Sequence, residues 1–292
     1  MRDGRASERM PEGDAMSAAL SASIVTHAPD LALLEQTLDS LRRALHVAHA
    51  RGMLVRADVS VIDNGPGKGW RGPLRALLER TFADTPCAAA EVVTGHGNVG
   101  YGRGHNLALL RSGADYHLVL NPDVMMQDDA VCEAIAFMQS HRDVDLLAPL
   151  VIGPDGKVQY LCKRYPALFD LALRGFAPQP VKSLFRSRLE RYEMKCEADS
   201  GKPFDATLAS GCCMFLRRAA AAASGGFRDD FFMYFEDFDL SLRMGEHGRL
   251  VCVPQVKIVH YGGNAADKGE THIRMFLRSA VTFYSRYGWK LW

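Results

Sequence analysis

Tyr116-His117-Leu118-Val119-Leu120-Asn121-Pro122-Asp123 is the stretch on which the reading of the fold turns. Its first five residues form a short apolar run, the pattern of a strand covered on both faces. Asn-Pro-Asp then closes the run with turn chemistry. A strand of this kind needs helices around it, and the flanking sequence supplies them. Residues 21–26 read as an opening strand. Beyond Pro29-Asp30, the residues Leu31, Leu34, Leu38, Leu41 and Leu45 recur at three- and four-residue spacing, one apolar stripe of a helix. Residues 58–62 predict a second strand, ended by Asp63-Asn64-Gly65-Pro66-Gly67, and residues 74–78 a second helix. Residues 91–94 predict a third strand followed by a glycine-rich loop, and a third helix begins at 106–110. After Asp123 come a helix at 128–139 and a fifth strand at 144–148. This alternation predicts an α/β chain with a mostly parallel sheet between helices. Ligands on such sheets bind beyond the carboxyl ends of the strands, where the loops of Asp63, Asn98 and Asp123 lie.

The second half follows a different pattern. Pro154-Asp155-Gly156 is a tight turn between short extended runs. Residues 165–203 contain prolines and no clear period. Lys182, Arg186, Arg188, Arg191 and Lys195 cluster there, opposed only by Glu190 and Glu193. Strands are expected at 206–216, 250–253 and 256–260, with helices at 236–245 and 271–287. The expected organisation is a disordered leader over 1–20, a first half at 21–150, a second, mixed half at 151–270 and an amphipathic terminal helix at 271–292.

Composition narrows the function classes. The chain has 292 residues, 48% hydrophobic and 24% charged, enough for a full core without covalent staples. A net charge of +1 gives no field for nucleic acid. Seven cysteines in no C-x-x-C spacing are neither a disulfide framework nor a zinc site, and they fit a reducing, cytoplasmic setting. No apolar run reaches the length of a membrane span.

Several residues could carry chemistry. Phe231-Phe232-Met233-Tyr234-Phe235-Glu236-Asp237-Phe238-Asp239-Leu240 sets three carboxylates among aromatics. Apolar surroundings raise carboxyl pKa values and can hold a general base, although acidic residues also simply favour a helix start. Asp123 could hold Mg²⁺ or Mn²⁺ against a diphosphate, or merely shape a turn. His260, at a strand end, is either a polar terminus or an imidazole ligand, the latter if Asp123 lies close by. Gly95-His96-Gly97-Asn98-Val99-Gly100 matches a dinucleotide fingerprint literally, but after the third strand rather than the first. A loop whose backbone approaches a nucleotide fits better than a nicotinamide site. Gly211 allows close backbone approach, and Cys212-Cys213 read as small core residues. Residues 273–292 mix Arg274, Arg278, Arg286 and Lys290 with aromatics. Such a helix lies on an anionic membrane surface or covers the core.

Taken in order, these segments resemble the family 2 glycosyltransferases of the GT-A fold, and among them the bacterial rhamnosyltransferase-like branch. The resemblance covers residues 21–288. It is carried by Ser23-Ile24-Val25-Thr26, Val61-Ile62-Asp63-Asn64, Asn98-Val99-Gly100-Tyr101-Gly102 with Asn106, Leu120-Asn121-Pro122-Asp123-Val124, Pro154-Asp155-Gly156, Ser210-Gly211-Cys212-Cys213-Met214, Gly225-Gly226-Phe227, residues 231–240 and Val259-His260.

The resemblance implies an inverting transferase. Thr26, Asp63, Asn64, Asn98, Gly100, Gly104, Asn106, Asn121 and Asp123 would face a nucleotide sugar. Asp123 and His260 would hold Mg²⁺ or Mn²⁺, with Asn121 standing where the family has a first carboxylate. Asp237 would be the base beside Glu236. Gly211, Cys212 and Asp239 would face the acceptor. The implied donor is a dTDP- or UDP-linked sugar, best dTDP-L-rhamnose. The implied acceptor is a glycan or a polyprenyl-diphosphate-linked glycan used in cell-surface polysaccharide synthesis, with peripheral contact at the inner face of the cytoplasmic membrane. A non-catalytic sugar-nucleotide-binding protein on the same fold is the competing expectation.

Overall fold

The computed structural model describes residues 17–67, 69–262 and 269–292. Most of the expected leader, residues 1–16, lies outside the described residues. Its last residues do not behave as a leader, because the opening strand β1 already runs from Ala18 (Ala18–Thr26). The stripe of leucines forms α1 (Leu31–Ala50), capped by Asp30, whose carboxylate accepts from the backbone N–H of Ala32 and Leu33. Next come β2 (Leu54–Asp63), α2 (Arg71–Phe82), β3 (Ala88–Val93), α3 (Tyr101–Leu109) and β4 (Tyr116–Leu120). β2, β1 and β4 pair in parallel, with β3 outside β2. Buried leucines of α1 and α2 cover this part of the sheet.

A three-residue strand that periodicity could not reveal, β5 (Val124–Met126), follows Asp123. It is succeeded by α4 (Ala130–Ser140) and β6 (Val144–Ile152), which turns at 154–156 into β7 (Val158–Gln159). Residues 165–203, read as aperiodic, form four short helices: α5 (Leu168–Phe176), α6 (Gln179–Leu184), α7 (Arg186–Tyr192) and α8 (Lys195–Asp199). None is long enough to display the three-turn stripe that a pattern search needs. β8 (Phe204–Asp205), β9 (Cys213–Arg217), α9 (Arg218–Ala223), α10 (Glu236–Met244), β10 (Arg249–His260) and α11 (Glu270–Tyr287) complete the described chain. The strand expected over 206–216 is confined to β9. The two strands expected at 250–253 and 256–260 are one strand whose register against β6 shifts between Val253 and Lys257. Pro254 lies in that shift and has no N–H for the ladder.

The strands form a single sheet in the order β3-β2-β1-β4-β9-β6-β10-β5. The first four are parallel. β9 runs antiparallel between β4 and β6, so the far half is mixed. The boundary expected near residue 150 falls inside β6, and the sheet continues across it. Of the two alternatives for α11, the core-covering one is seen in its inner face. Its inner side buries Ala280, Phe283 and Tyr284 against Phe231 and Phe235. Its outer side leaves Ile273, Leu277 and Val281 exposed. The tail beyond α11 returns to α5, where Leu168 N–H donates to Lys290 O at 2.8 Å.

Candidate active site

The short strand β5 brings Asp123 and His260 together. It pairs antiparallel with the end of β10, setting Val124 opposite His260, and Tyr261 N–H donates to Asp123 O at 3.0 Å. His260 Nε2 lies 3.6 Å from Asp123 Oδ1, an oxygen that is buried without a hydrogen-bond partner. Gln159 on β7 orients the imidazole. Its Oε1 accepts from Nδ1 at 3.0 Å, and its Nε2 donates to His260 O at 3.1 Å. With the proton on Nδ1, the Nε2 lone pair faces Asp123. Gly262 keeps the space before both groups open: a Cβ there would collide with His260 Nε2 and come within 2.9 Å of Asp123 Oδ2. One hard oxygen and one imidazole nitrogen around a space of this kind suit Mg²⁺ or Mn²⁺. Among the described residues no third His, Cys, Asp or Glu joins them, which leaves further coordination to phosphate oxygens and water.

The acidic segment delivers Glu236 and Asp237 by a strained route. Tyr234 and Phe235 both have left-handed backbones, with φ of 70° and 65°, an outlying conformation for bulky residues. Phe235 is locked by rings of α11, its centroid 5.2 Å from Phe283 and 5.1 Å from Phe276. The aromatics of the motif therefore serve mainly to hold the turn that starts α10. Glu236 is buried, and its Oε2 lacks a partner. Burial, reinforced by the neighbouring Asp237 charge, pushes its carboxyl well above the ordinary range. Burial also raises Asp237, but the N–H groups of Gly211 (2.8 Å) and Phe238 (2.9 Å) hold it down. The environments thus favour the neutral form of Glu236 more strongly than that of Asp237.

Tyr101, which the site assignments from sequence overlooked, joins the two centres. Its hydroxyl lies 2.6 Å from Gly211 O and 2.8 Å from Asn121 Oδ1, sharing one proton between them. Asn121 stands two residues before Asp123, and Gly211 N–H holds Asp237. Asn121 is therefore a support rather than a second metal carboxylate. A Cβ at Gly211 would press on both partners, 3.1 Å from Tyr101 Cε1 and 3.3 Å from Asp237 Cβ.

Several expected site residues have other tasks. The glycines at the start of α3 admit protein rather than ligand: a Cβ on Gly100 would collide with Phe232 O, on Gly102 would lie 2.8 Å from Phe227, and on Gly104 2.8 Å from Val25. Helix α3 consequently starts at Tyr101, five residues before the expected position. Asn64 is buried and bridges Gly100 O (2.8 Å) and His96 Nε2 (2.9 Å). Asn106 exchanges both hydrogen bonds with the Phe227 backbone, at 2.7 and 2.9 Å. Asn98 accepts from Gly100 N–H, shaping the loop. Asp239, expected on the acceptor side, is completely buried beneath Arg243 (2.7 Å), Arg228 (3.3 Å) and Tyr287 (2.7 Å), and braces α10 against α11. Thr26, Asp63 and Cys212 line the strand ends but are buried in this form. Asp63 Oδ1 accepts from Gly65 N–H at 2.9 Å. Gly262 and Gln159 were also missed, because their value depends on His260.

No protein-family model matches the chain. It is 28% identical over 204 residues to an N-acetylglucosaminyl-diphospho-decaprenol L-rhamnosyltransferase of Mycobacterium tuberculosis (strain CDC 1551 / Oshkosh), an alignment covering 64% of each chain. It is 28% identical over 185 residues to Rhamnosyltransferase WbbL of Escherichia coli (strain K12), covering 60% of this chain and 65% of that one. The chain thus spans under two thirds of the length of these curated relatives. Among solved structures, GalNAc-T7 with UDP, GalNAc and Mn²⁺ superposes with a TM-score of 0.58 at 13% identity, covering 86% of this chain and 44% of that one. A Pyrobaculum calidifontis mannosyltransferase with GDP-Man and Mn²⁺ gives 0.56 at 16% identity, covering 85% and 58%. The sheet is that of the GT-A glycosyltransferases, and over about three fifths of its length the chain is similar in sequence to curated rhamnosyltransferases.

Proposed function

We propose that the chain transfers a sugar, best L-rhamnose from dTDP-rhamnose, with inversion onto a polyprenyl-diphosphate-linked glycan in cell-surface polysaccharide synthesis. The observation that carries this reading is the Tyr101 bridge, which ties a metal-type pair, Asp123 and His260, to an ionisable carboxylate, Asp237. Asp123 and His260 would hold Mg²⁺ or Mn²⁺. The ion supplies neutralisation of the negative charge that builds on the departing nucleoside diphosphate. Asp237 takes the proton of the acceptor hydroxyl as that oxygen attacks the anomeric carbon, and the sugar–phosphate bond breaks on the opposite face. Burial disfavours a second negative charge on Glu236 beside Asp237. Tyr101 fixes the separation of the two centres, the positional constraint that in-line transfer requires.

The acceptor side supports a lipid-linked substrate. Arg174, Lys182, Arg186 and Lys195 line a cavity of about 310 Å³ against Glu190 and Glu193. The same helix α6 exposes Leu184, and Phe185 packs near the exposed Trp292. A phosphate with an apolar tail fits this combination. No helix among the described residues is long and apolar enough to cross a membrane. The outer stripe of α11, flanked by Arg274 and Arg278, suits peripheral contact with an anionic bilayer.

Thermal stabilisation by dTDP, UDP, GDP and NAD, with and without Mn²⁺, tests the donor reading. A Mn²⁺-dependent shift with dTDP is expected. A shift with UDP alone would keep the transferase and overturn rhamnose. No shift with any nucleoside diphosphate would overturn both. Asp237→Asn should keep the shift and lower transfer by about 10²–10⁴-fold, and undiminished transfer would remove Asp237 as the base and reopen a non-catalytic role.

A further inference from the structure

Lys163 is only 3% exposed, a rare state for a lysine. It lies outside every position assigned from sequence. Its backbone forms a two-way bridge with Leu208, N–H to O at 2.9 Å in each direction. Its ammonium donates to Tyr160 O at 2.9 Å, lies 4.0 Å from Glu193 Oε1 and sits 5.1 Å over the Tyr192 ring.

The bridge partner begins a strap, residues 208–211, which is fastened to Asp237 at its other end. Ala209 N–H donates to Ser241 Oγ (3.1 Å), Ser241 Oγ donates to Asp237 O (2.7 Å), and Gly211 N–H donates to Asp237 Oδ2 (2.8 Å). Lysine and carboxylate are thus pinned to opposite ends of four residues, a span of at most about 14 Å. The groups facing Lys163 are Cys162 beside it, Arg174 on α5, Tyr192 on α7, Glu193 just past α7, and Asp237 on α10. Those facing Asp237 are Glu236, Tyr101, Cys212 and Lys163. Among these, Glu193 is shared with Arg174 (3.3 Å) and Lys195 (3.8 Å), so it does not neutralise Lys163 alone.

We propose that Lys163 is a positioning residue for the transfer reaction, a buried cation that favours the ionised form of Asp237 and holds the 208–211 strap against it. The inference rests on the reading of Asp237 as the base. It explains how a carboxylate beside a second buried carboxyl remains a usable base: the ammonium, while protonated, opposes the burial that would otherwise protonate the carboxylate. Burial lowers the lysine itself to about 7, and the Asp237 charge acts to keep it protonated, so each group favours the charged state of the other.

The test compares acceptor kcat/KM between pH 5.5 and 8.5 for the full chain and its Lys163→Met and Lys163→Arg variants, with dTDP binding as the control for folding. Lys163→Met should move the acidic limb upward by about one unit, so that its deficit relative to wild type grows about tenfold from the high-pH plateau to the acidic limb. Lys163→Arg, always charged, should restore the wild-type limb. A deficit that is constant with pH would mean a structural role only and would overturn the proposal. If the wild type transfers no sugar, the function reading fails separately. The lysine is then read by NMR: titration of the Asp237 carboxyl, followed by ¹³C, must shift upward in Lys163→Met. If that variant does not fold, titrating Asp237 in the wild type must perturb the Lys163 ¹⁵Nζ signal. An unmoved titration or an unperturbed ammonium overturns the inference.

Discussion

Acidification should destabilise the parallel part of the sheet through two buried histidines. Ser23 Oγ on β1 sits 2.6 Å from His105 Nδ1 and 2.8 Å from His117 Nε2, and Ser21 Oγ sits 2.7 Å from His117 Nδ1. Both imidazoles have no exposed surface. Burial lowers His117 to about 3, and burial plus the neighbouring His117 lowers His105 well below the ordinary value. The unfolded chain takes these protons near pH 6.5, whereas the folded chain refuses His117's until about pH 3. Stability from this pair is therefore complete above about pH 7 and declines as pH falls through 6.5. At pH 5 an unfolded histidine gains about 2 kcal/mol from protonation, so His117 alone costs about 2 kcal/mol of a typical 5–15 kcal/mol, and His105 acts in the same direction. Glu236 and Asp237, raised when folded, act in the opposite direction. The single histidine is isolated by comparison. Urea unfolding of wild type and His117→Gln at pH 7 and pH 5 should show a pH-dependent loss smaller by about 2 kcal/mol in the variant. Equal losses in the two proteins would refute a depressed His117.

Other perturbations probe the two centres and the surface. Gly262→Val drives atoms into the space between Asp123 and His260 without replacing either residue. It should abolish the Mn²⁺-dependent part of dTDP stabilisation, about 2.7 kcal/mol at a hundredfold excess over Kd, and retention of that increment would remove the ion from this position. Asp239→Ala leaves Arg243 buried without its carboxylate and should cost about 3 kcal/mol in urea unfolding; a loss below about 1 kcal/mol would mean that Asp239 does not brace α10. Leu277→Asp combined with Val281→Asp, both on the exposed face of α11, should abolish sedimentation with phosphatidylglycerol vesicles while leaving thermal stability within a few degrees. Unchanged sedimentation would reject that face as the membrane contact.

The sequence made local order legible and contact order mostly not. Strand β4 has the boundaries its apolar run predicts, and α10 starts where Glu236 opens an acidic turn. Both signals are local, since a strand bounded by Asn-Pro-Asp needs no distant partner to be recognised. The glycines of α3 behaved otherwise. In a helix they are unfavourable by propensity, and a loop was the natural expectation; tertiary approach of Phe227 and Val25 is what requires them. The neighbourhood of Asp123 and His260 was conditional in the sequence because β5, three residues long, carries no periodic signal, yet it is the element that joins them. The partners of Asn106 and Asp239 were hidden for the same reason. An Asn or Asp near a site looks the same in sequence whether its polar atoms face a ligand or are already taken by Phe227 or Arg243.

That distinction explains why Tyr101 matters more than its position in a glycine-rich motif suggests. Asp123, His260 and Asp237 sit on three separate elements, the turn between β4 and β5, the end of β10 and the first turn of α10. Transfer needs their separation fixed closely, because a displacement of about 1 Å can cost a hundredfold in rate. Tyr101 meets this need twice. Its backbone N–H holds Phe232 O at 3.0 Å, fixing the approach to the strained turn, and its hydroxyl holds Gly211 and Asn121. The strain at Tyr234 and Phe235 is then borne by contacts on two sides, the ring stack of α11 and the start of α3. An acceptor that moved Gly211 would move Asp237 directly, through the amide that holds its carboxylate, and Asn121 indirectly, through the Tyr101 hydroxyl. The position of Gly211 is thereby coupled physically to the strand end that carries Asp123, through a few named hydrogen bonds rather than through a general closure of the fold.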